Sequence, residues 1–258
     1  MADLDFWWGM PLLLAVMIGG LCPTAGSLLI TQRRILLANL MAHSVLPGLV
    51  LALVLELDPG LGGLLSGLVG ALLAERLSQR FHGREEGAIN TVLAGFTALG
   101  VLLVPLMQAR VDLESILFGD ILAAAAPDLI RTGIAAAALL LLLITRYQDL
   151  VFIGVDPEGA MAARRPVRQI RFVTIVTTAL VVISAITAVG IVLVIGLLCA
   201  PVLVHVERST SLRSLMLKSA GTGLLLCAGG MMLAILWDLP PGPLIGVLCM
   251  GLLMLRRP

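Results

Sequence analysis

The chain has 258 residues, of which 59% are hydrophobic and 13% charged, with a mean hydropathy of +1.08 and a formal net charge of +1. Soluble domains run at roughly half apolar and a quarter charged, so this composition excludes a water-soluble enzyme or binding module. It indicates an all-α polytopic membrane protein, set in the lipid bilayer as a single transmembrane domain over 1–258.

Runs of about 20 apolar residues cross a bilayer as helices, and the sequence predicts about nine of them, with eight possible. They cover 7–31, 35–56, 61–79, 88–108, 128–146, 169–187, 190–206, 214–236 and 241–255. Residues 1–5 carry two acids and no base, the reverse of a signal-peptide n-region, so no cleavable leader is expected. The second segment begins at Arg33-Arg34 and carries Asn39, His43 and Pro47 at four-residue spacing, which puts them along nearly one helix face. Residues 109–127 form an irregular, partly apolar outer stretch containing Asp112, Glu114 and Asp120, and 147–168 is the longest polar connection. Residues 172–204 carry no formal charge, too long for one crossing of a hydrocarbon core about 30 Å thick. A hairpin turning near Ala188-Val189-Gly190 is therefore expected, with two short arms.

Fifteen of the 17 basic residues then fall on one side and only Arg110 and Arg131 on the other. Lys and Arg are retained on the cytoplasmic side, so the N-terminus is expected outside and the C-terminus in the cytoplasm. The outer side holds nine acids against two arginines, and the inner side seven acids against fifteen bases. Such an acidic outer surface concentrates cations.

The chain has no GxxxxGK[ST], HExxH or GxSxG, so nucleotide hydrolysis, zinc proteolysis and serine hydrolysis lack their usual signatures. Cys22, Cys199, Cys227 and Cys249 lie in apolar runs without CxxC spacing and read as buried structural thiols. His82 and His205 fall at helix ends and read as surface residues, while Trp7, Trp8 and Trp237 suit an interfacial belt. Asn39 and His43 are the polar exceptions. An imidazole, an amide oxygen and the His43 carbonyl released by Pro47 are N and O donors that suit a divalent first-row metal. They are too few for a closed site, so other helices or chains must complete it. A satisfied polar pair that binds helices together is the alternative.

Ala38-Asn39-Leu40-Met41-Ala42-His43-Ser44-Val45-Leu46-Pro47-Gly48 resembles the G-D-A-[IL]-[SA]-H-[AS]-V-L-P-G signature of the permease subunits of manganese, zinc and iron ABC transporters, the ABC-3 type. Four further segments follow in that family's order. Ile116 to Leu122 resembles its L-F-G-[DN]-I-L, and Asp156-Pro157-Glu158-Gly159-Ala160 its D-P-E-x-A loop. Ala188-Val189-Gly190 to Ala200-Pro201 resembles its A-V-G…A…P hairpin, and Asp238 to Gly242 its D-L-P-x-G.

The resemblance implies a type II importer-like permease of the bacterial inner membrane that carries a divalent transition metal and has no catalytic site of its own. It implies a homodimer, a separate ATP-binding cassette ATPase that uses the ATP, and an extracytoplasmic metal-binding receptor. No covalently bound cofactor and no nucleic acid is expected. His43 and Asn39 would line the metal path, with Glu56 and Asp120 as further candidates and Pro47 as its helix kink. Residues 156–160 would form the helix that docks on the ATPase. The sequence departs from the family at Ala38-Asn39, where Gly-Asp is usual, and at Glu85 to Asn90, where E-D-x-A-I-G is usual. Val-Leu-Pro-Gly after the histidine favours Mn²⁺, with Zn²⁺ next and Fe²⁺ third. The rivals are a proton-coupled secondary metal transporter with His43 as relay, and an intramembrane enzyme. The first predicts more intramembrane carboxylates than the sequence holds, and the second lacks a catalytic partner near His43.

Overall fold

The computed structural model describes residues 9–81, 83–108, 119, 121 and 125–255, and among these there is helix and turn but no strand. The helices are α1 (Gly9–Thr31), α2 (Ile35–Val54), α3 (Pro59–Ser78), α4 (Glu85–Leu106), α5 (Ala126–Val155), α6 (Pro157–Ala162), α7 (Val167–Val189), α8 (Ile191–His205), α9 (Leu212–Trp237) and α10 (Pro241–Leu255). All nine expected apolar segments are helical. Eight are long and apolar enough to cross a membrane, α8 together with a short 3₁₀ extension, while α10 has only 15 residues.

α1, α2 and α7 form the centre: 72% of the apolar stretch of α7 is buried, against 17% of that of α4. α4 and α5 lie at the periphery and turn Leu99, Leu102, Ile134, Leu141 and Ile144 outward, as a bilayer solvent requires. Small residues let the central helices approach closely. Gly48 of α2 and Gly62 of α3 face each other so tightly that a Cβ on either would run into the other's carbonyl oxygen. Most hydroxyls turn back on their own helix. Thr24, Ser27, Thr31, Ser44 and Thr174 each donate to the carbonyl four residues earlier, at 2.7–2.8 Å. That satisfies them without a partner helix.

The hairpin in 172–204 forms at Gly190, whose φ of 83° and ψ of 162° separate α7 from α8. α7, at 23 residues, is a full-length arm rather than a short one, and only α8 is short. The contacts of α8 with α10 agree with the reversal. Gly196 packs on Cys249 and Gly246 on Val192, so α8 runs parallel to α10. The Gly119 backbone lies directly against Val189 and Gly190, which joins two family-like segments that are far apart in sequence.

One boundary differs from expectation. The fifth helix does not end at 146 but continues to Val155 through a break at Arg146 (φ −127°, ψ 16°). Residues 147–155 stay helical because one side of them is buried. Leu150 and Ile153 join the core, and Asp149 accepts from the Arg165 guanidinium at 3.1 Å with Arg146 3.7 Å away. The connection after the fifth span is thus a docked helix plus α6, not a polar loop.

Each end of the bundle is tied by ion pairs. At the acidic end, Arg131 pairs with Asp58, which caps α3, and with Asp128 at 3.4 Å. At the arginine-rich end, Arg34 pairs with Glu75, and Gln79 donates to the same carboxylate at 3.0 Å.

Candidate functional site

Asn39 and His43 lie one turn apart on α2, and both are half-buried. The rest of that turn is core: Leu40, Met41, Ala42 and Val45 are fully buried. Among the described residues, neither the His43 imidazole nor the Asn39 amide makes a hydrogen bond. Two polar groups within a membrane-length helix are therefore partly exposed, with no hydrogen-bond partner among the described residues. The helix is continuous through Pro47, which is buried between neighbours. A Cβ on Gly100 of α4 would lie 2.6 Å from that of Leu46, and Ser66 of α3 donates to the Ser44 carbonyl at 2.6 Å. α3 and α4 thus clamp α2 one turn beyond His43 and fix how its polar face is presented.

Glu56 is not beside this pair. It closes α2 in the left-handed region (φ 55°), exposed, roughly 20 Å along the axis from His43 at 1.5 Å per residue. Asp120 lies outside the described residues; Gly119 itself packs against the α7–α8 turn, and Ile121 is buried. No group of three potential metal ligands exists among the described residues. Among the described residues, α2 offers two side-chain donors, Asn39 and His43, beside the His43 carbonyl that Pro47 cannot bond.

The second expected site is α6. The Asp156 carboxylate accepts from the Gly159 amide at 2.8 Å, with Pro157 at the first helical position, a favoured helix start. A Cβ on Gly159 would collide with that carboxylate, so glycine is what permits so tight a cap. Ala160 is wholly buried, while Glu158 and Met161 are exposed. Arg164 ends the helix in the left-handed region (φ 56°), and the Arg165 amide returns to the Ala160 carbonyl at 3.0 Å. A short helix is thereby anchored by its small residue and offers its acidic and apolar ones.

Sequence reading missed other supports of these sites. Ser66 and Gly100 carry no signal beyond small size, and Glu75 stood out only as a charge near a span end; Gly62, on a glycine-rich face of α3, reads from sequence as a close-packing residue and is one. His205 is half-buried rather than a surface residue, with its Nε2 2.7 Å from Thr222 Oγ1. His82 lies outside the described residues. Cys22, Cys227 and Cys249 are buried and Cys199 half-buried, all as free thiols.

The model of the ABC 3 transport family matches residues 9–256, nearly the whole chain. The chain belongs to that family. Relatives of this ABC-3 chain include an uncharacterized membrane protein of Cyanophora paradoxa, 33% identical over 90% of the chain and 78% of that protein. Manganese transport system membrane proteins also match: that of Halalkalibacterium halodurans is 29% identical over 88% of the chain and 78% of its own length. The one from Synechocystis is 27% identical over 90% and 76%. Among solved structures, PsaBC from Streptococcus pneumoniae in complex with Fab superposes with a TM-score of 0.84 at 26% identity, covering 96% of this chain and 90% of that one. The ABC-3 chain is thus an all-helical, multi-pass ABC transporter permease of the bacterial inner membrane, and ABC-3 permeases are transport subunits.

Proposed function

We propose that the chain carries Mn²⁺ inward across the membrane, driven by a separate ATPase bound at its arginine-rich end and supplied by a metal-binding receptor at its acidic end. The observation that carries this reading is the Asn39–His43 pair, half-buried in mid-span without a hydrogen bond among the described residues. His43 supplies a nitrogen ligand and Asn39 an oxygen. Two donors do not hold a divalent cation that takes four to six ligands, so a second copy of the chain brings its own pair to the same path. The manganese transport names of several relatives favour Mn²⁺ over Zn²⁺.

In this scheme α6 docks on the ATPase through Glu158 and Met161. Closure of the ATPase pair on ATP moves the docked helices and favours one permease conformation. Transport is directional because the two conformations bind the metal with different affinity. Vanadate-sensitive uptake of radioactive manganese by the assembled complex tests it. His43→Ala is expected to abolish uptake while leaving assembly intact; full uptake by that variant would falsify the site. Uptake by this chain without any ATPase would remove the mechanism.

A further inference from the structure

We propose that the arginine-rich end carries a binding site for an anionic phospholipid, in the groove between the last turns of α3 and the first turns of α7. The groove has a volume of about 940 Å³. Arg76 of α3 and Arg165, Arg168 and Arg171 of the α7 region line it. Arg165 is partly satisfied by Asp149. The Nε of Arg171 is buried without a hydrogen-bond partner among the described residues. Glu75 is the one carboxylate among the lining residues, and it is already bonded to Arg34 and Gln79. The groove is therefore a cationic recess whose positive charge exceeds what the described residues compensate.

Its apolar half identifies the ligand class. Leu72 lies one turn from Arg76, Phe172 one turn from Arg168, and Ile175 one turn from Arg171, each pair on one helix face. α3 runs toward the arginine-rich end and α7 away from it, so in all three pairs the apolar residue is the deeper one within the span. Guanidinium groups thus form a tier at the membrane edge and an apolar tier lies beneath them. Phe172, 50% exposed, opens that lower tier to the surroundings. A phosphodiester with acyl chains matches both tiers, whereas free phosphate uses only the upper. Basic recesses between spans on the cytoplasmic side are the usual seat of anionic headgroups. A soluble partner reaches the edge but not the residues inside the span.

The test uses the full chain with Phe172→Trp in a Trp7→Phe, Trp8→Phe background, which adds a fluorophore at the groove, remote from Trp237 at the far end of α9. Quenching by brominated phosphatidylglycerol is compared with that by brominated phosphatidylcholine. A clear preference for phosphatidylglycerol is expected, falling roughly fivefold for each arginine neutralised in Arg76→Gln and Arg168→Gln. Arg33→Gln with Arg84→Gln, which removes equal charge at the same end, is expected to leave it unchanged. Arg168→Gln alone, at an exposed position, serves if the double variant does not fold. Equal quenching by the two lipids overturns the proposal, as does an equal loss in the control pair. Displacement by millimolar inorganic phosphate would make this a simple anion site, and loss of the preference on adding the ATPase would assign the groove to that contact; either result overturns it.

Discussion

Asn39 puts an amide where the family signature has a carboxylate, one turn from His43 on the same half-buried face of α2. A carboxylate adds a full negative charge to a cation site in a medium of low dielectric. Asn39→Asp is therefore expected to slow manganese release and raise metal retention by the purified complex, measured by equilibrium dialysis. Unchanged retention and unchanged uptake together would take Asn39 off the path. Gly190 is constrained differently. With φ 83° and ψ 162° it occupies a region open essentially to glycine alone, and Gly119 packs against it. Gly190→Ala is expected to cost of the order of 1–3 kcal/mol, seen as earlier thermal unfolding in detergent. Asn39 and His43 were legible because helical spacing reveals polar residues in an apolar run. Gly190 was legible because 33 uncharged residues are too long for one crossing. Ser66, whose hydroxyl holds the Ser44 carbonyl, was not, since its partner is 22 residues away and no local rule links them.

At the scale of the element, α6 shows how few residues define a helix. Asp156 caps it, Pro157 starts it, Gly159 allows the cap and Arg164 ends it. The aspartate cap and first-turn proline follow from general sequence rules, whereas the need for glycine at 159 shows only in the structure. Replacing an N-cap aspartate with alanine costs about 1 kcal/mol, which is serious for so short a helix. In the assembled transporter, Asp156→Ala is expected to lower metal transported per ATP hydrolysed by more than it lowers hydrolysis itself. An unaltered ratio would mean that α6 does not transmit the stroke. The extension of α5 to Val155 was not readable. Tyr147 to Val155 mixes polar and apolar residues, and only tertiary contacts of Leu150, Ile153 and Asp149 hold it helical. α2 and α3 teach the complementary lesson: Gly48 and Gly62 were visible as small residues, but which helices they join is a matter of tertiary packing. Gly62→Leu is expected to separate those helices and reduce the yield of folded protein; normal folding would show that the contact yields easily.

For the whole molecule, the charge count assigns an expected direction to each helix, and the pairings of helices are consistent with it. Antiparallel α2 and α3 and parallel α8 and α10 agree with the directions that count assigns. Orientation in a cell can be read with an impermeant maleimide. Asp238→Cys is expected to react in intact cells and Glu158→Cys only after permeabilisation; the opposite result inverts the topology. The proposed path was only partly legible, because the residues that complete it beside Asn39 and His43 are not linked to them by any local sequence rule.

The back-bonded hydroxyls have a bearing on leakage. A proton wire needs donors free to pass a hydrogen to the next group, and Thr24, Ser27, Thr31, Ser44 and Thr174 have each committed theirs to a carbonyl of their own helix. Among the described residues this leaves little from which to thread such a relay through the central helices. A transporter energised by ATP gains from that insulation, since it can sit in a charged membrane without dissipating the gradient. Liposomes containing the chain alone are expected to hold an imposed pH difference as long as empty ones. A leak abolished by His43→Ala would instead make that imidazole a proton carrier.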